Sequence, residues 1–202
     1  MNYLVIPDGI RADSNGEPIS EPSFVFKQVL DYLVKVANSK DTIFIAPANN
    51  FGGNEYEHEL AYRYLIENIS TEPPNIQYPV MATSNNLRLG ARKYIDTAGN
   101  ALFLRDYLGN SLHGLSFDLV CSKIHSYRAE YCFKKLSYKI NRVHRVDYEI
   151  LSEKIVTRLW YYKYKPIHIM YEVLAFIRDG ATIPFRLYSH QKRSKSLLSK
   201  EA

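Results

Sequence analysis

The stretch Phe117-Asp118-Leu119-Val120-Cys121, followed at once by Ser122-Lys123-Ile124-His125-Ser126-Tyr127-Arg128-Ala129, decides how the chain reads. A short apolar run that stops in polar residues has the pattern of a buried strand, and the segment behind it opens a helix over residues 125–136. His125 and Arg128 then stand one turn apart where a strand ends and a helix begins. Ligands of α/β proteins bind at such places, because helix starts present free N–H groups and the positive end of the dipole. The element predicts a site for an anion or for a proton transfer.

Working outward, residues 3–6 read as a first apolar strand cut off by Pro7-Asp8-Gly9, with a polar loop behind it. Pro22-Ser23 starts a helix in which Phe26, Val29, Leu30, Leu33, Val34 and Ala37 keep the spacing of one buried face. Residues 42–46 form the next strand, residues 55–67 a helix, and Asp96 or Thr97 caps another that runs to Gly109. Residues 78–82 read as extended, while 87–94 fit either type. Residues 141–147 alternate as a half-buried strand does. This alternation predicts an α/β fold with a mainly parallel sheet covered on both faces. Right-handed crossovers then bring the strand exits near Asp8, Asn49, Asp96 and Ser122 to one edge.

With 202 residues and 46% hydrophobic content, one domain with one sizeable core is expected. The α/β core is assigned to 1–147, a C-terminal helical appendage of two helices parted by Lys165-Pro166 to 148–188, and a basic flexible tail to 189–202. Residues 1–120 hold 9 bases and 14 acids, whereas residues 121–202 hold 17 bases and 7 acids. That asymmetry, with a tyrosine cluster in Trp160-Tyr161-Tyr162-Lys163-Tyr164, offers an alternative reading: a non-catalytic interaction protein at an anionic membrane surface. The bases are scattered and carry no zinc-finger spacing or RNA-binding signature, so nucleic acid is not expected as a partner. Cys121 and Cys132 read as reduced packing thiols, and with no signal peptide and no long apolar span a cytoplasmic location is expected.

The motifs are short. No Gly-x-Gly-x-x-Gly and no phosphate-loop lysine occurs, which disfavours ordinary dinucleotide or ATP binding. Asp8-Gly9 ends the first strand as a ligand-binding turn does. The loop Asn49-Asn50-Phe51-Gly52-Gly53-Asn54 offers small residues for close approach and amides that read hydroxyls or phosphates. Glu55, Glu57 and Glu59 suit the positive end of a helix without further role. Asn100, a mediocre helix former, sits on a first turn. His113, His144 and His168 lack metal-ligand spacing, so no metal site is expected.

Taken in order, these pieces resemble the YdcF/SanA/ElyC family of bacterial proteins, gathered under a domain of unknown function. The resemblance rests on Val5 to Gly9, on Glu57 through Tyr64-Leu65, on Thr97-Ala98-Gly99-Asn100-Ala101, and on Ser122 through His125 to Arg128-Ala129. Tyr171-Glu172-Val173-Leu174-Ala175 is similar to the tail of some members. In this chain Ala91-Arg92-Lys93 stands where the family carries an acid, and Gly99 where Glu is frequent. The resemblance implies a Rossmann-like three-layer sandwich with a charged cleft. It also implies a link to cell-envelope polysaccharide metabolism and S-adenosylmethionine as one ligand class.

The expectation is an enzyme-like protein that binds a small anionic or nucleotide-containing ligand at the strand edge, with its cofactor, if any, unspecified. His125 serves as general acid or base and Arg128 as the clamp for phosphate or carboxylate. Thr97, Asn100, Ser122, Gly9 and the loop of Asn49, Asn50, Gly52 and Gly53 position the ligand, while Asp8 and Glu57 supply acid groups. Replacing His125 or Arg128 by Ala is expected to leave the fold intact.

Overall fold

Ser23 starts the first helix by two hydrogen bonds: its hydroxyl oxygen accepts from Phe26 N–H (3.1 Å) and its O–H donates to the Asp8 carbonyl (2.7 Å). The helix α1 (Phe24–Val36) thus begins tied to the exit of β1 (Asn2–Val5). The computed structural model describes residues 1–51, 53–69, 72–79, 95–149 and 157–198. Within them, a hairpin of β2 (Ile10–Ala12) and β3 (Pro18–Pro22) precedes α1. Next come β4 (Thr42–Ile45), α2 (Glu57–Asn68), β5 (Asn75–Gln77) and α3 (Thr97–Leu108). They are followed by β6 (Phe117–Ser122), α4 (Lys123–Lys135) and β7 (Ile140–Val146). A 3-10 segment (Thr157–Lys163) then leads into α5 (Lys165–Leu198).

The central sheet has five strands in the order β5-β4-β1-β6-β7, all parallel. Side chains alternate across it. Tyr3, Val5, Ile43, Ile45 and Val120 pack beneath α1 and α2, against Phe26, Val29, Leu30, Leu33, Ala61 and Leu65. Leu4, Ile6, Phe44, Leu119 and Cys121 face the other way, against Ala98, Ala101 and Leu104 of α3 and Ala129, Cys132 and Phe133 of α4. Each large side chain buried this way contributes roughly 1.5–3 kcal/mol. The fold is therefore the expected α/β, Rossmann-like three-layer arrangement. Helices cross from one face to the other between β1 and β6, which makes that pair the topological switch point.

Four local readings change. The loop after β1 contains the β2–β3 hairpin, whose turn is held by Asp13 Oδ1 accepting from the N–H groups of Asn15 (2.8 Å) and Glu17 (3.0 Å). The third core strand lies at Asn75–Gln77, ahead of the extended stretch expected at 78–82; residues 80–94 lie outside the described residues. The break between the 3-10 segment and α5 falls at Tyr164, one residue ahead of the expected Lys165-Pro166; residues 150–156 lie outside the described residues, and Pro166 itself is helical. It sits in the first turn of α5, where its missing N–H costs nothing. The α5 backbone continues helical to Leu198, beyond residue 188 where the sequence reading set the start of a tail.

Candidate functional site at the strand edge

β1 and β6 are hydrogen-bonded neighbours, so the residues that leave them meet at the switch point. Pro7, Asp8 and Gly9 follow β1; His125 and Arg128 stand on the first turns of α4 behind β6. Asn49, Glu57, Ile95, Asp96, Thr97 and Asn100 arrive from the β4 exit and the starts of α2 and α3. Together with Leu159, Tyr161 and Tyr162 from the 3-10 segment, they line a small, narrow cleft. The four exits expected at one edge do come together.

Asp8 is the hub. Its Oδ2 accepts from Ser122 Oγ at 2.5 Å, and its Oδ1 accepts from the Tyr162 hydroxyl. His125 Nδ1 lies 3.4 Å from the same Oδ1, a charge contact outside hydrogen-bond geometry. Burial alone would raise the Asp8 carboxyl. The His125 ring, His168 and the Ser122 hydroxyl outweigh it and hold Asp8 below the usual carboxylate range. On the far side of the imidazole, His125 Nε2 and Thr97 Oγ1 are 2.9 Å apart. A carboxylate facing Nδ1 favours the proton on that nitrogen, which leaves Nε2 to accept from the threonine hydroxyl. Thr97, His125 and Asp8 are all buried.

Glu57 opens α2 and occupies the amides that the sequence offered to a ligand. It accepts from Gly9 N–H (2.7 Å) and Asn49 N–H (3.2 Å), and burial pushes its carboxyl up to about 8 despite these bonds. Gly9 has φ +102°, and a Cβ there would lie 2.4 Å from Leu159 Cδ1, so only glycine lets the 3-10 segment close over the cleft.

Several residues expected to contact a ligand also make internal ties. The Asn49 side chain brackets Ile95, donating to its carbonyl (2.8 Å) and accepting from its N–H (2.7 Å). With its amide nitrogen turned inward, Asn100 donates to the carbonyls of Asp96 (2.9 Å) and Pro47 (3.2 Å). Asn50 and Gly53 close a turn beyond the cleft wall, Gly53 N–H donating to the Asn50 carbonyl (2.7 Å); Gly52 lies outside the described residues. Ser122 lends its hydroxyl to Asp8 rather than to its own helix.

Arg128 departs furthest from expectation. Its Nε and Nη2 donate to the two oxygens of Glu172 at 2.6 and 2.8 Å, and Nη1 lies 3.3 Å from Asp179 Oδ2. Burial works against the guanidinium's charge, but these carboxylates hold it firmly protonated. Glu172 in turn is held well below the carboxylate range: His125 and Arg128 overcome its burial. With two acids already on it, Arg128 fastens α4 to α5 while also lining the cleft. Asp96 makes a parallel fastening, pairing both its oxygens with Arg186 (2.6 and 2.8 Å) while capping α3 at Gly99 N–H.

Sequence reasoning missed Tyr162, Leu159, Glu172, Asp179 and His168. A signal for the last three existed: His168, Glu172 and Asp179 fall at helical spacing on one side of an otherwise apolar helix, which implies a buried cationic partner. Tyr162 sits in the tyrosine cluster that had supported the membrane-surface reading. Among the described residues no three His, Cys, Asp or Glu side chains converge as a metal site.

The chain matches no family model, no curated protein and no solved structure. The cleft itself carries the functional argument.

Proposed function

We propose that the cleft is an active site in which His125 moves a proton on a small ligand bearing sugar or nucleoside hydroxyls. The observation that carries this reading is the buried line Thr97–His125–Asp8 at the switch point, a hydroxyl, a base and an orienting carboxylate within contact of one another. Tyr162 and Ser122 hold Asp8 in place, so the imidazole is oriented before any ligand arrives.

The charge balance narrows the ligand. Asp8, Glu57 and Asp96 line the cleft, Arg128 is already paired with Glu172 and Asp179, and the Gly9 and Asn49 amides are taken by Glu57. A bare anion meets no uncommitted base among these groups. Asp96 is paired with Arg186, and Glu57, raised to about 8, keeps its proton near neutral pH, so hydroxyls suit the cleft better than a charged group. The nucleotide-containing half of the original expectation therefore stands better than the anionic half. Its sugar faces Asp8 and His125, and any phosphate points out of the cleft. An envelope saccharide and the ribose of S-adenosylmethionine, the classes implied by the resemblance to the YdcF/SanA/ElyC family, both bring hydroxyls to such a cleft.

Isothermal titration of the full chain with UDP-glucose, S-adenosylmethionine and adenosine tests this reading. Saturable binding of at least one, weakened tenfold or more by His125→Gln and by Thr97→Val in variants that melt like the parent, is the expected result. Absence of binding by all three, or equal affinity in the variants, overturns it.

A further inference from the structure

α5 is apolar on its outward side as well as toward the core, where Ala175 and Ile183 are buried. A helix on the surface of a globular protein buries its apolar side and shows its polar side to water. Here His168, Glu172 and Asp179 point inward and are buried. Ile169, Met170, Val173, Leu174, Ile177 and Phe185 point outward, with Leu174, Ile177 and Phe185 61%, 64% and 76% exposed. The outward side from Ile169 to Tyr188 is roughly 30 Å long at the rise of an α-helix. A continuous exposed apolar surface of this extent marks a docking face.

From this face we infer that α5 docks the protein on an anionic lipid surface, lying along it. The proposal is independent of the chemistry in the cleft. No helix among the described residues is long and apolar enough to cross a membrane, so contact is lateral. Exposed aromatic residues with polar tips, Trp160 and Tyr164 at one end and Tyr188 at the other, suit the headgroup boundary. Both acids between residues 165 and 188, Glu172 and Asp179, are buried, so neither presents a carboxylate to the lipid. Bases flank the apolar stretch: Lys163 and Lys165 precede it, and the sequence behind it carries Lys192, Arg193 and Lys195. They belong to a half of the chain with 17 bases against 7 acids.

The same charge argues against a second copy as the occupant. Antiparallel pairing of two α5 helices sets the Lys163–Lys165 end of one against the base-rich end of the other, and parallel pairing sets like ends together. Both arrangements juxtapose like charges, whereas phosphatidylglycerol headgroups complement both ends.

Flotation of the full chain with vesicles tests the proposal, using equimolar phosphatidylcholine–phosphatidylglycerol and phosphatidylcholine alone. The expected result is flotation with the mixed vesicles, reduced by high salt and lost in the Leu174→Glu, Ile177→Glu double variant. These positions are exposed, so circular dichroism of the variant should match the parent. No flotation, equal flotation on phosphatidylcholine alone, or full retention in the double variant overturns the assignment. A dimer in analytical ultracentrifugation that the double variant dissociates, without vesicle binding, overturns it in favour of a second copy.

Discussion

Arg128 on α4 and Glu172 on α5 form a bidentate ion pair, 2.6 and 2.8 Å at its two contacts, with neither side chain more than 7% exposed. Removing one member of such a pair strands the other charge in a medium that solvates it poorly. Arg128→Ala leaves Glu172 and Asp179 without their cation and is expected to cost about 3–5 kcal/mol. The double replacement Arg128→Met, Glu172→Leu removes the charge as well as the partner and should be clearly less harmful than Arg128→Ala alone. Urea unfolding of the three proteins decides it. Equal midpoints for parent and Arg128→Ala would return the arginine to the role of ligand clamp.

Glu57 makes stability depend on pH in a direction opposite to that of a salt-bridged acid. Its folded-state carboxyl is raised from 4.5 to about 8 by burial. Below 4.5 both folded and unfolded chains carry the proton. Between 4.5 and about 8 the folded chain keeps a proton that the unfolded chain has lost, so stability falls as pH rises through this window. Above it the contribution is constant. The full swing is roughly 2–5 kcal/mol. Glu57→Gln keeps an acceptor for Gly9 N–H and cannot ionise, so the variant should lose this slope. The difference in urea midpoint between variant and parent, measured near pH 5 and near pH 9, is expected to shift in favour of the variant at the higher pH. A difference that stays constant across the range would place the Glu57 carboxyl back at an ordinary value.

Gly9→Ala meets two obstacles at once: φ of +102° and a Cβ position 2.4 Å from Leu159 Cδ1. The backbone strain alone costs on the order of 1–3 kcal/mol. Adding Leu159→Ala should recover the part due to the clash and leave the strain. Thermal melts of the single and double variants separate the two contributions. Full recovery in the double variant would mean that the backbone at residue 9 tolerates a side chain.

What the sequence disclosed and what it hid follow from the range of each interaction. β1, β4 and β6 are apolar runs bounded by polar residues, and α1 repeats its buried face at three and four residues. Period and boundary are local, so these elements and their parallel order were legible. The β2–β3 hairpin was not, because β2 has only three residues and β3 is polar and largely unburied. In the cleft, His125 and Asp8 were found because strand exits and helix starts are local features too, whereas Thr97 and Glu57 were singled out through the family resemblance. The bond from Tyr162 to Asp8 spans 154 residues and leaves no periodic trace. The acid partners of Arg128 were hidden for the same reason: a guanidinium on the first turns of a helix looks unpaired until the acids of α5, 44 and 51 residues on, are folded against it.

Asn49 shows how a side chain that resembles a ligand reader can instead place another segment. Its carboxamide offers one donor and one acceptor in a plane, the same pair that a strand neighbour presents, and Ile95 uses both. Ile95 directly precedes Asp96, the cap of α3 and the partner of Arg186. Holding Ile95 therefore sets where Thr97 meets His125. Asn49→Ala strands a buried N–H and a buried carbonyl, and the expected cost is about 2–4 kcal/mol. Asn49→Asp keeps an acceptor for Ile95 N–H but turns an oxygen toward its carbonyl, so it should rescue little at neutral pH. Amide hydrogen exchange gives the specific readout. Protection of the Ile95 N–H should fall in Asn49→Ala by more than that of Phe44 or Leu119 in the central strands, whereas a uniform loss across the sheet would mean that Asn49 serves only global stability.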